Sequence, residues 1–194
     1  NGPTKFLGHE EHHCTSKLIK IIPQDNNSGL LVFDQTVFYG ESGGQKGDLG
    51  LISLPNKKTI KVTDCLKPIP ELHAHLVDDL SLFKEGNSYN LNIDIENRVL
   101  TARNHSATHL LQSTLINVLG NHVKQAGSQV SSNKLRFDYT HTEPLSRDEL
   151  TRVENIVNDQ ISNGLNVSTK MVSKDDAIKS GALALFGEKY DDQV

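Results

Sequence analysis

The sequence predicts an α+β protein: a β-barrel-like subdomain over residues 1–95, followed by an α/β sandwich over residues 96–194. Three observations lead there. Short β-type runs separated by Pro, Gly, Asn and Asp turns occupy the first half, apolar residues at helical spacing appear only after residue 96, and an alternating strand pattern lies between two such helices.

In the first subdomain the predicted strands include Leu18–Ile22, Gly29–Phe33, Thr59–Thr63 and Tyr89–Ile95. The turns between them include Asp25-Asn26-Asn27-Ser28-Gly29 and Glu85-Gly86-Asn87, where Gly and Asn tolerate left-handed backbone and Asn and Asp bond their own main chain. In the second subdomain a helix is predicted over about residues 104–119: Leu111, Leu115, Val118 and Leu119 recur on one side, Asn104 is the N-cap and Gly120 the stop. Leu135, Phe137 and Tyr139 alternate as a half-buried strand. Ser146-Arg147-Asp148-Glu149 is a capping box for a second helix, with Leu150, Val153, Val157 and Ile161 as its apolar face and Gly164 as its end. A strand over Leu165–Val172 and a short helix from Lys174 complete the prediction.

Composition narrows the function classes. With 194 residues and 36% hydrophobic side chains the chain can bury a core as one domain or two small ones. Its net charge of −4 and pI near 6.1 argue against strong non-specific nucleic-acid binding, which depends on neutralising phosphates. The local basic groups, Lys57, Lys58 and Lys61 or Lys124, Lys134 and Arg136, read as solvated faces. No run of about 18 apolar residues and no secretion leader is present. Cys14 and Cys65 lie far apart without Cys-x-x-Cys spacing and read as reduced thiols, so a cytoplasmic protein with no membrane partner is expected.

His105 and His109 stand four residues apart, a spacing that stacks two imidazoles on one helical face within reach of one metal ion. The spacing fits equally two histidines that merely sit on a helix. Ser106 follows the first histidine where a zinc protease needs glutamate, which takes most of the weight from that reading. The remaining histidines are scattered, and the pair His73 and His75, alternating as on a strand, is predicted to face solvent. The loop Ser42-Gly43-Gly44-Gln45-Lys46-Gly47 can bring backbone N–H groups close to a ligand, with the Gln45 amide as donor and acceptor. It lacks Gly-Lys-Ser/Thr and so is no nucleotide loop; a tight turn between two strands explains it as well.

The run Arg103-Asn104-His105-Ser106-Ala107-Thr108-His109-Leu110-Leu111, then Val118-Leu119-Gly120-Asn121-His122-Val123 and Leu135-Arg136-Phe137-Asp138-Tyr139, resembles the editing domain of bacterial-type alanyl-tRNA synthetases. Phe38-Tyr39-Gly40-Glu41-Ser42-Gly43-Gly44-Gln45-Lys46-Gly47-Asp48 resembles that family's glycine-rich loop, and Gly181 to Tyr190 its late signature. The motifs occur in order from about residue 4 onward. The resemblance implies an editing subdomain that carries the His-x-x-x-His helix and hydrolyses the ester of mischarged Ser-tRNA(Ala) or Gly-tRNA(Ala).

It further implies zinc held by His105 and His109, catalytic roles for Gln45, Thr108 and Gln125, and substrate contacts from Glu41, Ser42, Gly43, Gly44 and Gln112. The family's remaining Cys and His ligands follow the Gly-Glu-Lys-Tyr run, and this chain stops at Val194 without them. With Asn1 at its start and Met171 as its only methionine, the chain reads as an internal piece. The aminoacylation domain, with its ATP and Mg, is then expected outside it, and the piece alone should bind zinc weakly and hydrolyse little. The expected partners are the acceptor end of tRNA(Ala) and the other domains of the synthetase. The alternatives are an RNA-docking module with a vestigial metal site and a free-standing aminoacyl-tRNA deacylase. Such a domain answers a physical limit: one added hydroxyl or missing methyl is worth only about 1–3 kcal/mol of discrimination, so a site that accepts alanine cannot strongly exclude serine or glycine.

Overall fold

The computed structural model describes residues 2–182 and 192–194. In chain order the elements are β1 (Lys5–Phe6), β2 (His13–Pro23), a 3-10 turn at Asp25–Asn27, β3 (Gly29–Phe33), β4 (Gln35–Thr36), β5 (Gly50–Ser53), β6 (Thr59–Leu66), β7 (Ala74–Val77) and β8 (Ser88–Ile93). Then come α1 (Ile95–Leu119), β9 (Gln125–Val130), β10 (Leu135–Tyr139), α2 (Arg147–Ser162) and α3 (Lys174–Lys179).

Six strands close into an antiparallel barrel in the order β2-β3-β7-β6-β5-β8. Closure leaves no strand edge unpaired, so short strands suffice. β2 is longer than its apolar run predicts because it serves two neighbours: His13 to Lys17 pairs with β8, and Leu18 to Pro23 with β3. The first half alternates in burial, but Ser16 is its buried residue, so no apolar pattern made it legible. Along β8, Tyr89, Leu91 and Ile93 point inward. On β6, Ile60 and Val62 point inward until a register shift before Asp64 moves the buried phase to Cys65, the usual effect of a bulge. One core cluster gathers these with Leu18, Leu31, Phe33, Phe38 and Ile52, among others.

His73 and His75 overturn their solvent-facing expectation. Both are buried, His75 completely. The His75 Nδ1–H donates to the Leu31 carbonyl at 3.0 Å, which leaves Nε2 to accept the Thr36 hydroxyl at 2.7 Å. Phe33 and Phe38 meet the ring edge-to-face. Alternation in sequence marks a shared face, not which face is wet; barrel closure turned this one inward.

The chain divides into two compact units, one of residues 1–109 with 126–138, the other of residues 110–125 with 139–194. Residue 95 is where the barrel's last strand gives way to α1. That helix begins nine residues earlier than the expected start at Asn104, since Asp94 caps it, accepting the Asn97 N–H at 3.0 Å. Asn104 lies mid-helix, and its side chain donates instead to the Ser131 carbonyl at 2.8 Å. The first turns carry polar anchors in place of an apolar stripe, so periodicity missed them. Gly120, at φ +114°, ends the helix as expected.

In the second unit the Ser146–Glu149 capping box forms in both directions. Of the expected apolar face of α2 only Val153 is buried, while Leu150 and Ile161 are each 54% exposed. No strand forms over Leu165–Val172; a single bridge joins Ser173 to Gln193, and Val172 and Val194 exchange backbone hydrogen bonds. A β-rich composition needs a partner strand to become a strand, and the described residues of this unit provide none. Of the late signature only Gly181 and Ala182 lie within the described residues. No helix among the described residues is long and apolar enough to cross a membrane.

Candidate functional site

One face of α1 presents Arg98, Ala102, His105 and His109, spaced four, three and four residues apart, as helical geometry requires for a common face. Arg98 pins this face to the barrel. Its Nε donates to both oxygens of Asp48 at 2.9 and 3.0 Å, Nη2 pairs with Asp48 and donates to the Val37 carbonyl at 3.0 Å, and Nη1 donates to the Gly8 carbonyl at 2.9 Å. Asp48 also accepts the Tyr39 N–H at 2.7 Å, so a buried charge pair with nearly every polar atom satisfied sets the helix against the barrel wall.

Two turns along, the His105 and His109 rings stack with centroids 5.0 Å apart and an 18° tilt. The His105 Nδ1–H donates to the Gln45 Oε1 at 2.6 Å. Burial, and then repulsion from His109, lowers the His105 pKa. These three side chains line a cavity of about 310 Å³, near the lower limit of small-ligand sites, roughly 300 Å³. The rest of its wall comes from Arg98, Ala102 and Ser106 of α1 and from Phe6, Gly8, His9 and Tyr39 of the barrel unit. Phe6 organises the aromatic part: it stacks on His73 at 5.3 Å and meets His9 and Tyr39 edge-to-face.

The glycine-rich loop reaches α1 because its backbone is tied to β9. Lys46 N–H donates to the Val130 carbonyl at 2.9 Å, and Val130 N–H donates to the Gly44 carbonyl at 2.8 Å. Gly44 has φ +80°, and a Cβ there would fall 2.2 Å from the Ser128 Oγ, so both conformation and space demand glycine. Gly43, at φ +57° with open space around it, is constrained by conformation alone.

Of the residues singled out in the sequence, the fold thus brings Gln45, His105 and His109 together. Glu41 pairs with Lys46 at 2.8 Å, and the Ser42 hydroxyl donates to the Tyr39 hydroxyl oxygen at 2.8 Å. Glu41, Ser42, Gly43, Gly44 and Thr108 do not line the cavity. Thr108 is buried, its hydroxyl donating to the Asn104 carbonyl at 2.8 Å. Gln112, buried on α1, and Gln125, the first residue of β9, belong to the second unit.

The two imidazoles could supply half of a tetrahedral zinc site, and the hydrogen bond on His105 Nδ1 is the orientation a metal-binding histidine uses. Among the described residues no cluster of three or more His, Cys, Asp or Glu side chains could hold a metal ion, and His9, although it lines the same cavity, does not complete one. Cys14 and Cys65 are free; burial raises both thiol pKa values, that of Cys65 strongly, which makes them poor nucleophiles. A larger depression of about 750 Å³, lined by Gln24, Asp25, Asn26, Ser28 and Asp78, brings no base or nucleophile pair together.

Sequence reasoning missed Phe6, His9, Tyr39, Arg98 and Ala102. Arg98 and Ala102 were recoverable from their helical phase with the histidine pair, had the helix been started at Asp94. The aromatic wall left no such signal, since barrel closure alone gathers it.

Residues 1–97 match the family of tRNA synthetases class II (A), and the chain belongs to that family. Its relatives are alanine–tRNA ligases: those of Nitratidesulfovibrio vulgaris, Myxococcus xanthus and Fusobacterium nucleatum are 48%, 43% and 42% identical over 98%, 100% and 100% of this chain. The chain spans 23%, 23% and 22% of their lengths.

Proposed function

We propose that this chain is the greater part of the proofreading domain of an alanine–tRNA ligase, cleaving the ester of Ser-tRNA(Ala) or Gly-tRNA(Ala). The observation that carries the reading is the meeting of Gln45, His105 and His109 at one cavity lined by the barrel unit and the Arg98–His109 stretch of α1. The whole protein would ligate alanine to tRNA(Ala) with ATP and Mg in the cytoplasm, through domains other than this one.

In that reading the chain's own residues do the following. Asp48 and Arg98 hold α1 rigid, so the cavity keeps its shape when the acceptor end enters. Gln45 orients His105, and the rings of His105 and His109 line the cavity side by side. His105 and His109 would hold zinc, which would orient the ester or polarise the attacking water. Phe6, His9 and Tyr39 give one side of the cavity an aromatic wall.

The test is deacylation of Ser-tRNA(Ala) against Ala-tRNA(Ala) by this chain and by one extended through a following Cys and His, with His105→Ala in the extended form. Selective hydrolysis on extension, abolished by His105→Ala, is the expected result. Equal hydrolysis of both substrates, or activity indifferent to His105→Ala, overturns the reading; retention of tRNA binding without hydrolysis would favour a docking module.

A further inference from the structure

We infer that Gln45 is a positioning residue that sets the tautomer of His105, placing the proton on Nδ1 and turning Nε2 into the lone-pair nitrogen of the ring. The inference rests on the proposed function only in taking His105 as a working residue of the cavity.

The donor and acceptor roles follow from chemistry. Gln45 Oε1 lies 2.6 Å from His105 Nδ1, and an amide oxygen accepts but cannot donate, so the proton of the bond sits on Nδ1. A neutral imidazole carries one N–H, hence Nε2 is unprotonated. In water the free ring favours the opposite arrangement, so the protein must impose this one.

The acceptor is held firmly enough to impose it. Gln45 is only 7% exposed, and its backbone N–H donates to the Ser42 carbonyl at 3.0 Å. The bonds between Val130 and the loop on either side of Gln45, and the close fit of Gly44 on Ser128, tie the loop to β9. On the other side the His109 ring stacks on His105 and limits its rotation. The barrel repeats the device at His75, where a fixed carbonyl at Leu31 takes Nδ1–H and leaves Nε2 to accept. The glycine-rich loop therefore acts through a histidine: it selects which nitrogen is available, as a ligand or as a base.

The experiment is ¹⁵N NMR of the histidine rings of this chain at about pH 8, above the ordinary histidine pKa, with Zn²⁺ alone as the titrant. In the wild type His105 should show a protonated Nδ1 and a pyridine-type Nε2. Gln45→Leu should move the ring to mainly Nε2–H and weaken Zn²⁺ binding about 10- to 100-fold. Gln45→Glu, which keeps an acceptor, should restore both readouts. A wild-type His105 protonated on Nε2 overturns the inference without any variant, as does Gln45→Leu with an unchanged tautomer. Failure of deacylation in the extended protein with the tautomer as stated would instead count against the proposed function alone.

Discussion

The two units bury apolar surface in opposite ways. In the first, a closed barrel surrounds one continuous cluster of fully or nearly fully buried side chains, Leu31, Phe33, Phe38 and Leu91 among them. In the second, Leu115, Val123 and Val153 are the buried apolar side chains among the described residues, while Leu150, Ile161, Leu165, Val167, Met171 and Ile178 are exposed. The barrel unit is held by long-range packing and ladder bonds, and the helical unit mainly by local devices such as the box at Ser146. The cavity with Gln45, His105 and His109 lies wholly in the packed unit, where side-chain geometry can be kept within the tolerance chemistry needs.

That contrast is broken most directly at Asp48. Asp48→Asn keeps the shape but strands the Arg98 charge, and should cost about 3–5 kcal/mol, read as a fall in the urea midpoint; a loss under about 1 kcal/mol would mean that α1 is not anchored as described.

Acid tests the barrel core next. Burial, above all, holds the folded His75 pKa at about 4 against 6.5 for the free group, and His73 behaves alike. Between pH 6.5 and about 4 the unfolded chain takes up protons that the folded chain refuses, so stability is complete above pH 6.5 and falls as pH drops through that window. The loss from His75 alone is on the order of 3 kcal/mol, and a urea midpoint flat across the window would contradict its burial.

In the helical unit the effects should be smaller. Ser146→Ala removes the N-cap of α2 and should cost about 1 kcal/mol, seen as faster amide exchange confined to that helix. Val167→Ser, at a side chain 88% exposed, should change stability by less than about 0.5 kcal/mol. A larger loss there would show that the exposed segment is packed after all, and the contrast between the units would disappear.

What was legible follows the range of the interaction involved. The capping box at Ser146, the stop at Gly120 and the β-type runs of β3 and β10 depend on residues a few positions apart, and each stands where it was expected, whereas β8 ends at Ile93 because Ile95 already belongs to α1. The His105–His109 spacing likewise made the stacked pair predictable. The first turns of α1 were invisible because Arg98, Asn97 and Asn104 face polar partners far along the chain, Asp48, Ser132 and Ser131. The strand expected over Leu165–Val172 failed for the converse reason, a local preference without a neighbouring strand among the described residues.

By itself, then, the sequence determined the α+β class, the turns and caps, the imidazole pair on one helical face and the glycines of the loop, all properties of local backbone and side-chain geometry. Only the tertiary structure decided that His73 and His75 are buried, that Asp48 locks Arg98, and that Gln45, 60 residues before His105, holds its ring. These depend on barrel closure and the docking of α1, which bring together groups whose separation along the chain carries no trace of their contact.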